Sequence, residues 1–184
     1  MHNTQLITKL RQVRLLVTDV DGTLTDGTVY YSDTGEHLRR FHVHDGLGIE
    51  LLHRAGIVVA FVTKEYAPAA HARAQKLRVQ YCLLQVEDKA ASVVAMAREL
   101  GIALQHIAYI GDDLTDLPAI RLVGVSACPA DAYAELRKHV DYVCTRSGGN
   151  GAVREFCDLI LAAQGCIPEE LLGRHVPRTV DQEG

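Results

Sequence analysis

A short apolar segment that ends in acidic residues constrains this chain more than any other feature. Residues 15–20 are mostly apolar, and the turn residue Gly22 follows closely. So short a run is typical of a strand that is buried on both faces, as in a parallel sheet. Asp19 and Asp21 lie at its C-terminal end, and residues i and i+2 of a strand point to the same side. Both carboxylates can therefore face one site, at the edge where open parallel sheets bind ligands.

The pair Asp19 and Asp21 has two interpretations when it is taken alone. Asp is common wherever a strand ends, so the two could be solvated turn residues. Alternatively, two carboxylates held this close repel each other, and a hard divalent cation with oxygen ligands would resolve the conflict. The choice between these interpretations depends on the polar residues that follow the other strands.

The length and the charge of the chain narrow its class. With 184 residues, 48% of them hydrophobic and 23% charged, the sequence fits one globular domain. A net charge of −4 argues against a nucleic-acid partner, because such proteins depend on a basic face. We see no apolar run long enough for a membrane span and no secretory signal, so we expect a cytoplasmic protein with no membrane partner.

Strands and helices are predicted to alternate after the first strand. This rhythm is typical of an α/β fold, a Rossmann-like parallel sheet with helices on both faces. We expect a single domain over residues 1–184, with a core at about 14–165 and a flexible tail at 166–184. The predicted strands are 15–20, 57–62, 80–84, 106–110, 123–127 and 142–144. The predicted helices are 46–55, one that begins near Pro68, 89–100, 118–122, 132–139 and 151–163.

Residues 26–44 break this rhythm. The β-prone segments 28–31 and 37–43 are separated by turn residues at 32–35, which predicts a β-hairpin at the mouth of the first strand. Tyr30, Tyr31 and Phe41 are many aromatic residues for so small an element. We therefore expect the hairpin to pack against something, such as a neighbouring subunit.

The polar residues that could form a functional site mostly follow predicted strands. In chain order the candidates are Asp19 and Asp21, Thr63, Lys89, and Asp112 and Asp113. The ends of parallel strands meet at one edge of the sheet, so acids, a hydroxyl and an ammonium should converge there. Carboxylates suit Mg²⁺, and the hydroxyl and the lysine suit phosphate oxygens. The pattern favours a magnesium-dependent phosphoryl-transfer site.

These motifs resemble those of the haloacid dehalogenase-like phosphatases over about 15–163. The shared pattern is D-x-D-G-T, a strand that ends in Thr, a Lys, and then G-D-D-x-x-D. The resemblance implies that Asp19 is the nucleophile, which forms an aspartyl-phosphate, and that Asp21 is the general acid and base. Thr63, the N–H of Lys64, and Lys89 would hold the phosphoryl group.

The same resemblance implies the cofactor, which is Mg²⁺. Asp19, the backbone carbonyl of Asp21, and Asp112 would bind the ion. Asp113 and Asp116 would hold these ligands in position without binding the ion. This division of labour agrees with the general chemistry of phosphoryl transfer, which depends mainly on positioning and on charge neutralisation.

A finer resemblance is to the short-capped branch of the family, which acts on sugar acids. It is carried by residues 35–49 and 147–155 and by the hairpin that stands in place of a cap domain. It implies a small sugar-acid phosphate as the substrate, 3-deoxy-D-manno-octulosonate 8-phosphate, a role in lipopolysaccharide biosynthesis, and a homotetramer held by the hairpins. Asp45 and Arg154 become candidates for substrate binding. Alternatively, Asp45 is a helix N-cap and Arg154 is a surface residue.

The segment after the second strand departs from the family pattern. The family usually has Thr-Gly-Arg or Thr-Gly-Glu where this chain has Thr63-Lys64-Glu65. Glu65 together with Lys76 is more similar to members that act on nine-carbon acids, such as 2-keto-3-deoxynononate or N-acylneuraminate 9-phosphate. These residues make a nine-carbon acid phosphate the alternative substrate.

Two other classes of function compete with the phosphatase. A receiver-type signalling domain also gathers acids, a Thr and a Lys on a parallel sheet. However, its phospho-acceptor follows the third strand, and 80–84 ends without an acid. A catalytically weak assembly subunit is the other candidate, suggested by Lys64. Sustained release of phosphate would separate the phosphatase from both.

Overall fold

A computed structural model of the protein describes residues 2–33 and 35–173. Its strands are β1 Leu15–Thr18, β2 Tyr30–Ser32, β3 Gly35–Leu38, β4 Val58–Val62, β5 Tyr81–Leu83, β6 Ile107–Ile110, β7 Val125–Cys128 and β8 Tyr142–Val143. Its helices are α1 His2–Leu10, α2 Val43–Arg54, α3 Pro68–Leu77, α4 Lys89–Leu100, α5 Leu117–Ile120, α6 Ala152–Ala163 and α7 Pro168–Leu172. None of these helices combines the length and the hydrophobicity that crossing a bilayer requires.

The strands other than the hairpin form one sheet in the order β5-β4-β1-β6-β7-β8. Every neighbouring pair in it is parallel. The predicted Rossmann-like parallel sheet is therefore confirmed. Since β2 and β3 lie outside it, the sheet strands follow the classic doubly wound order, and the chain reverses its direction of winding between β1 and β6.

The four central strands β4, β1, β6 and β7 are buried on both faces, as the apolar run in the first strand predicts, whereas the edge strands β5 and β8 are partly exposed. Leu16 of β1 and Phe61 of β4 lie in a core with α1, α2, α3, α6 and α7. Leu15 and Val17 point to the opposite face, into a core with α4 and α5. This alternation follows from the two-residue period of a strand. The predicted helices on both faces of the sheet are confirmed.

The hairpin forms, but its second strand is not where the sequence predicts it. Strand β3 is Gly35–Leu38, and only an isolated bridge between Thr25 and Phe41 follows it at the base of the hairpin. The predicted bounds of 37–43 are wrong, since β3 ends at Leu38 and Val43 already begins α2, three residues before the predicted start of that helix. His42 is its N-cap, and the His42 side chain accepts a hydrogen bond from the backbone N–H of His44 at 3.3 Å.

Two further predictions differ from the structure. The predicted helix at 132–139 is only a 3-10 turn at Leu136–Lys138, because the backbone N–H of Tyr133 donates to the carbonyl of Asp112 at 2.8 Å instead. The tail predicted to be flexible from residue 166 contains α7, whose Leu171 is buried. Arg54 of α2 donates to the carbonyl of Leu172 at 2.6 Å, which anchors that helix. The rest of the predicted tail lies outside the described residues.

Candidate active site

The site is built where the ends of β1 and β6 meet. Asp19 is the first residue after β1, and its backbone N–H donates to the carbonyl of Ile110 at 2.9 Å. The pairing of the two strands thus extends one residue further and fixes Asp19 beside the end of β6. Asp112 lies two residues beyond that end. Because the sheet reverses its winding here, the two helical crossovers diverge and leave a crevice for a ligand.

Lys89 joins two buried carboxylates across this crevice. It is the first residue of α4, which is capped by Asp88 through a 2.9 Å hydrogen bond from the N–H of Ala91. Its Nζ lies 2.5 Å from Oδ1 of Asp19 and 2.6 Å from Oδ1 of Asp116. The three side chains are at most 5% exposed, so these are ion pairs shielded from water. Such pairs are strong only where the geometry is good.

Asp116 organises the loop that follows β6. Its Oδ1 accepts from the hydroxyl of Tyr109 at 2.7 Å as well as from Lys89. Its Oδ2 accepts from the backbone N–H groups of Asp112 and Asp113 at 3.0 and 3.2 Å. Four donors thus surround a carboxylate that is completely buried. Asp116 is a fixed support for Asp112, whereas the side chain of Asp113 is turned to the N–H of Leu114.

The acidic cluster fits a divalent cation. One carboxylate oxygen from each of Asp19, Asp112 and Asp116 lies within 4.8 Å of the others. Oδ2 of Asp19 is buried and has no hydrogen-bond partner among the residues that the structure describes, which leaves it open to a cation or to a reacting atom. Since Asp116 already has four donors, Asp19 and Asp112 are the carboxylates that can serve as cation ligands. Oxygen ligands of this kind are those that Mg²⁺ prefers.

A glycine lets the first-strand loop approach this cluster. Gly22 has a φ of +84°, and a Cβ there would lie 2.1 Å from Oδ2 of Asp112. The side chain of any other residue would therefore collide with the acid, in a backbone conformation that only glycine adopts without cost. The glycine of the D-x-D-G-T motif is thus explained by the contact with Asp112.

The charges of the cluster oppose one another. Burial raises the pKa of Asp19 well above its usual value, and the carboxylate of Asp116 raises it further against the effect of Lys89. Burial, Asp116 and Asp113 raise the pKa of Asp112 to about 7. Burial alone would lower the pKa of Lys89, but Asp19 and Asp116 outweigh it and leave the pKa above its usual value. The negative charge exceeds what one lysine neutralises.

We expect the metal-free protein to lose stability as the pH rises from about 5 to 8. The pKa of Asp112 is about 7 in the folded chain against an ordinary value of 3.8, and that of Asp19 is raised as well. Groups with a raised pKa favour the folded state while they are protonated, and this contribution is lost as they ionise. A loss of at least about 1 kcal/mol, or about 2–4 °C in Tm, is expected for a domain of this size.

Thermal unfolding in EDTA at about pH 5 and pH 8 measures this loss of stability. Saturating Mg²⁺ should remove most of it, because the cation stabilises the ionised carboxylates. The structure indicates that the buried carboxylates repel one another. A metal-free protein as stable at pH 8 as at pH 5 would contradict this.

Asp21 faces Thr63 and Arg39, and its carboxylate is not among the grouped oxygens of the cluster. The hydroxyl of Thr63, the first residue after β4, donates to Oδ2 of Asp21 at 2.9 Å. Nε of Arg39 lies 2.5 Å from Oδ1. The prediction of Asp21 as a ligand rests on its backbone carbonyl, which these contacts leave unaffected. Arg39 is a neighbour of the site that the sequence did not reveal.

The three substrate candidates on the side of β4 and α3 are exposed. Lys64 lies 3.4 Å from Glu87 on the surface, and its φ is not positive. The backbone thus passes through this position without needing the family's glycine. The backbone N–H of Glu65 donates to the hydroxyl of Thr63 at 3.0 Å, and the Glu65 side chain is exposed. Lys76 is exposed on α3.

Asp45 and Arg154 contact each other where α2 meets α6. Oδ1 of the buried Asp45 accepts from the backbone N–H of Arg154 at 2.8 Å, and burial raises the pKa of Asp45. The carboxylate of Asp45 therefore caps the first turn of α6. The N-cap of α2, the helix that contains Asp45, is His42. The guanidinium of Arg154 pairs with Asp158 at 2.8 Å. The observed contacts of both residues join α2 and α6.

The loop before α6 packs against the loop after β1. The N–H of Gly149 donates to the carbonyl of Thr23 at 3.0 Å. A Cβ at Gly148 would lie 1.8 Å from the carbonyl oxygen of Gly22, so only glycine permits this approach. Asn150 accepts from Arg40 at 2.9 Å. The segment singled out from 147–155 thus fixes the position of the D-x-D-G-T loop and the base of the hairpin.

Known proteins are similar to this chain in both sequence and fold. The family profile of the haloacid dehalogenase-like hydrolases matches residues 85–156. The 3-deoxy-D-manno-octulosonate 8-phosphate phosphatase of Salmonella typhi is 40% identical over 167 residues, which are 91% of this chain and 89% of that enzyme. The crystal structure of the phosphatase of the same name from Yersinia pestis has a TM-score of 0.86 and 38% identity, and the match covers 94% of this chain and 91% of that one.

A further crystal structure includes ligands. The phosphatase of the same name from Moraxella catarrhalis, in complex with a magnesium ion, a phosphate ion and a KDO molecule, has a TM-score of 0.86 and 39% identity. The match covers 88% of this chain and 93% of that one. Identity at this level over most of both chains shows more than a shared fold. The chain belongs to the haloacid dehalogenase-like hydrolases, in the branch of the 3-deoxy-D-manno-octulosonate 8-phosphate phosphatases.

Proposed function

We propose that this protein is a Mg²⁺-dependent phosphatase that hydrolyses 3-deoxy-D-manno-octulosonate 8-phosphate through an aspartyl-phosphate. One observation carries the proposal. A buried carboxylate, Asp19, is anchored through Oδ1 by Lys89 at 2.5 Å, while its Oδ2 lacks a partner among the described residues. A buried, unpartnered oxygen is costly in a folded protein. Its position at the crevice of a phosphatase fold supports its use as a nucleophile.

In the first step Oδ2 of Asp19 attacks phosphorus. A bond forms between that oxygen and phosphorus while the bond from phosphorus to the ester oxygen breaks. Asp21 gives its proton to the departing sugar oxygen, so the sugar acid leaves as a neutral alcohol at that position. Lys89 keeps the Asp19 carboxylate in one orientation, which lowers the entropy cost of an in-line attack.

In the second step water releases the phosphate. Asp21, now a carboxylate, takes a proton from the water whose oxygen attacks the phosphorus of the aspartyl-phosphate. The bond between phosphorus and Asp19 breaks, and Asp21 is protonated for the next cycle. The contacts of Asp21 to Thr63 and Arg39 support this role because they hold its carboxylate apart from the acidic cluster.

The phosphoryl group needs positive partners throughout. Lys89 and the N–H of Lys64 hold its oxygens. Thr63 has one hydroxyl proton, which it donates to Asp21, so its contact with the phosphoryl group stays a prediction. Asp19, Asp112 and the backbone carbonyl of Asp21 would hold Mg²⁺, which neutralises the charge that develops in the transition state. Asp116 positions Asp112, which is supported by its hydrogen bond from the N–H of Asp112, and the same role for Asp113 stays a prediction.

The names of the relatives support the eight-carbon substrate, and with it a role in lipopolysaccharide biosynthesis. Glu65 and Lys76 support a second candidate, a nine-carbon acid phosphate, because both side chains are exposed and free to meet the distal end of a longer sugar. Asp45 and Arg154 stay predictions as substrate contacts, since their present contacts are to α6 and within it.

The ratio of kcat/KM between substrates decides among these candidates. We expect the purified protein with Mg²⁺ to prefer 3-deoxy-D-manno-octulosonate 8-phosphate at least about tenfold over the nine-carbon acid phosphates and over generic phosphomonoesters. A preference for a nine-carbon substrate would favour the second candidate. Phosphorylation without sustained turnover would indicate a receiver-like domain, and no phosphate release from any substrate would indicate an assembly subunit.

We also propose that the protein is a homotetramer in which the hairpins form the subunit contacts. The hairpin exposes large apolar side chains, with Tyr31 73% and Leu38 64% exposed. Apolar groups concentrated on so small an element favour burial against another copy of the chain. The tetrameric state itself is what the family resemblance implies.

Replacing these side chains by charges should break the tetramer. We expect Tyr31→Glu together with Leu38→Glu to lower the mass measured by light scattering, because charged groups would have to be buried in the contact. Leu122→Glu is the matched control, since Leu122 is 40% exposed and lies in the loop after α5. An unchanged mass for the hairpin variant, or an equal fall for the control, would contradict the role of the hairpin.

A further inference from the structure

Arg39 is a buried cation that enters the mechanism above only as a contact that keeps Asp21 away from the acidic cluster. It lies just after β3, on the chain that returns from the hairpin to the core. Its side chain is 1% exposed, and Nε is 2.5 Å from Oδ1 of Asp21, whose own side chain is 23% exposed. Arginine is almost never fully buried unless it is paired. The pair with Asp21 is therefore an important reason why this guanidinium can be buried.

Arg39 and Thr63 together fix the rotation of the Asp21 carboxylate. Arg39 donates to Oδ1, and the hydroxyl of Thr63 donates to Oδ2 at 2.9 Å. Donors on both oxygens prevent the group from turning about its terminal torsion, which is otherwise soft. Each carboxylate oxygen has two lone-pair directions, so each keeps one that can carry a proton.

Contacts at the base of the hairpin hold the backbone at Arg39 in place. Thr25 and Phe41 form an antiparallel bridge just beyond it. The next residue, Arg40, contacts Asp26 at 3.3 Å and Asn150 at 2.9 Å. The backbone that carries Arg39 is thus tied to the loop after β1 and to the loop before α6. Such support is what a group needs if it is to orient another with little freedom.

We propose that Arg39 is a positioning residue for proton transfer, which aims the Asp21 carboxylate at the oxygen of the leaving group. The inference rests on the proposed phosphatase function, and it goes beyond it by giving the hairpin a part in the chemistry of its own chain. A general acid must lie within hydrogen-bond reach of the atom that it protonates. A carboxylate that turns freely spends little time in that position, so proton transfer to the leaving group is slower.

A series of leaving groups tests this directly. An alkoxide leaves poorly without a proton, whereas p-nitrophenolate leaves without one. The parameter to compare is kcat/KM, because it reports the steps up to the first irreversible one, the formation of the aspartyl-phosphate. For Arg39→Met we expect kcat/KM to fall about 100-fold with the sugar-acid phosphate, in line with the usual contribution of general acids, and less than about fivefold with p-nitrophenyl phosphate.

Arg40→Met is the matched control. Arg40 is the neighbouring residue with the same charge, but its side chain is 49% exposed and pairs with Asp26. We expect this variant to keep the wild-type ratio between the two substrates. Arg39→Lys, which keeps the cation without the planar fork, should show a smaller deficit with the same dependence on the leaving group. It also serves as the test if Arg39→Met fails to fold in a thermal unfolding measurement.

The outcomes distinguish this inference from the proposed function. An equal fall with both substrates would mean that Arg39 binds phosphate or supports the fold, and it would overturn the inference. Unchanged kinetics would overturn it too. If the wild-type protein released no phosphate from either substrate with Mg²⁺, the proposed function would fail and this inference with it.

Discussion

Asp19→Asn should lower phosphate release by about four orders of magnitude or more, because an amide cannot act as the nucleophile. The fold should survive the change. Burial and the repulsion from Asp116 raise the pKa of Asp19, which means that its charge is unfavourable in the folded chain. Removing that charge should leave the Tm of the metal-free protein unchanged or raise it, while Lys89 keeps its ion pair with Asp116 at 2.6 Å.

Initial rates of phosphate release and thermal unfolding in EDTA measure the two effects. Asp88→Asn provides the matched control. It makes the same chemical change next to Lys89, but Asp88 is the exposed N-cap of α4, and Asn caps a helix as well as Asp does. We expect the control to keep activity within a few-fold of wild type. Wild-type-like turnover by the Asp19 variant would refute the assignment of the nucleophile.

The ends of the strands explain why so much of the site could be predicted. Asp19 and Thr63 each follow a buried apolar run directly, and Asp112 follows β6 after one glycine. The alternation of strands and helices predicts a parallel sheet, which brings such ends together whatever their separation in sequence. The predicted family and fold are confirmed by the relatives and by the order of the strands. The roles of the individual residues stay predictions.

Arg39 shows what the sequence pattern could not supply. Arg39 and Arg40 are adjacent and identical in type, yet one side chain is 1% exposed and the other 49%. In a strand, a shift of one residue in register exchanges the two faces. The pairing of β2 with β3 is irregular between Tyr30 and Tyr31. Which arginine turns inward is therefore fixed by that pairing and by the bridge at Phe41.

Contacts across the chain also override local preference. Residues 132–139 favour a helix, but the N–H of Tyr133 is taken by the carbonyl of Asp112, and Gly148 approaches the carbonyl of Gly22. Both contacts join segments that are distant in sequence, so no local pattern predicts them. The one available signal was the glycine-rich stretch at 147–151, which indicates close backbone approach without naming the partner.

Lys89→Met should destabilise the metal-free protein by about 3–5 kcal/mol, the cost of leaving buried charges without their partner. Lys89 is the cation that faces both Asp19 and Asp116. It also lowers the pKa of Asp19, so its removal raises that pKa further. The destabilisation should therefore shrink as the pH falls, because protonated carboxyl groups no longer repel each other.

Urea unfolding at pH 5 and 8 measures the change in the free energy of unfolding. Lys138→Met is the control, since Lys138 pairs with Glu135 at a similar distance of 2.6 Å but is 66% exposed, and surface pairs contribute less than about 1 kcal/mol. Adding Asp116→Asn to Lys89→Met should restore part of the loss, because the two residues interact directly. If Lys89→Met costs no more than its control, the cluster does not depend on this lysine, and neither does the orientation of the nucleophile.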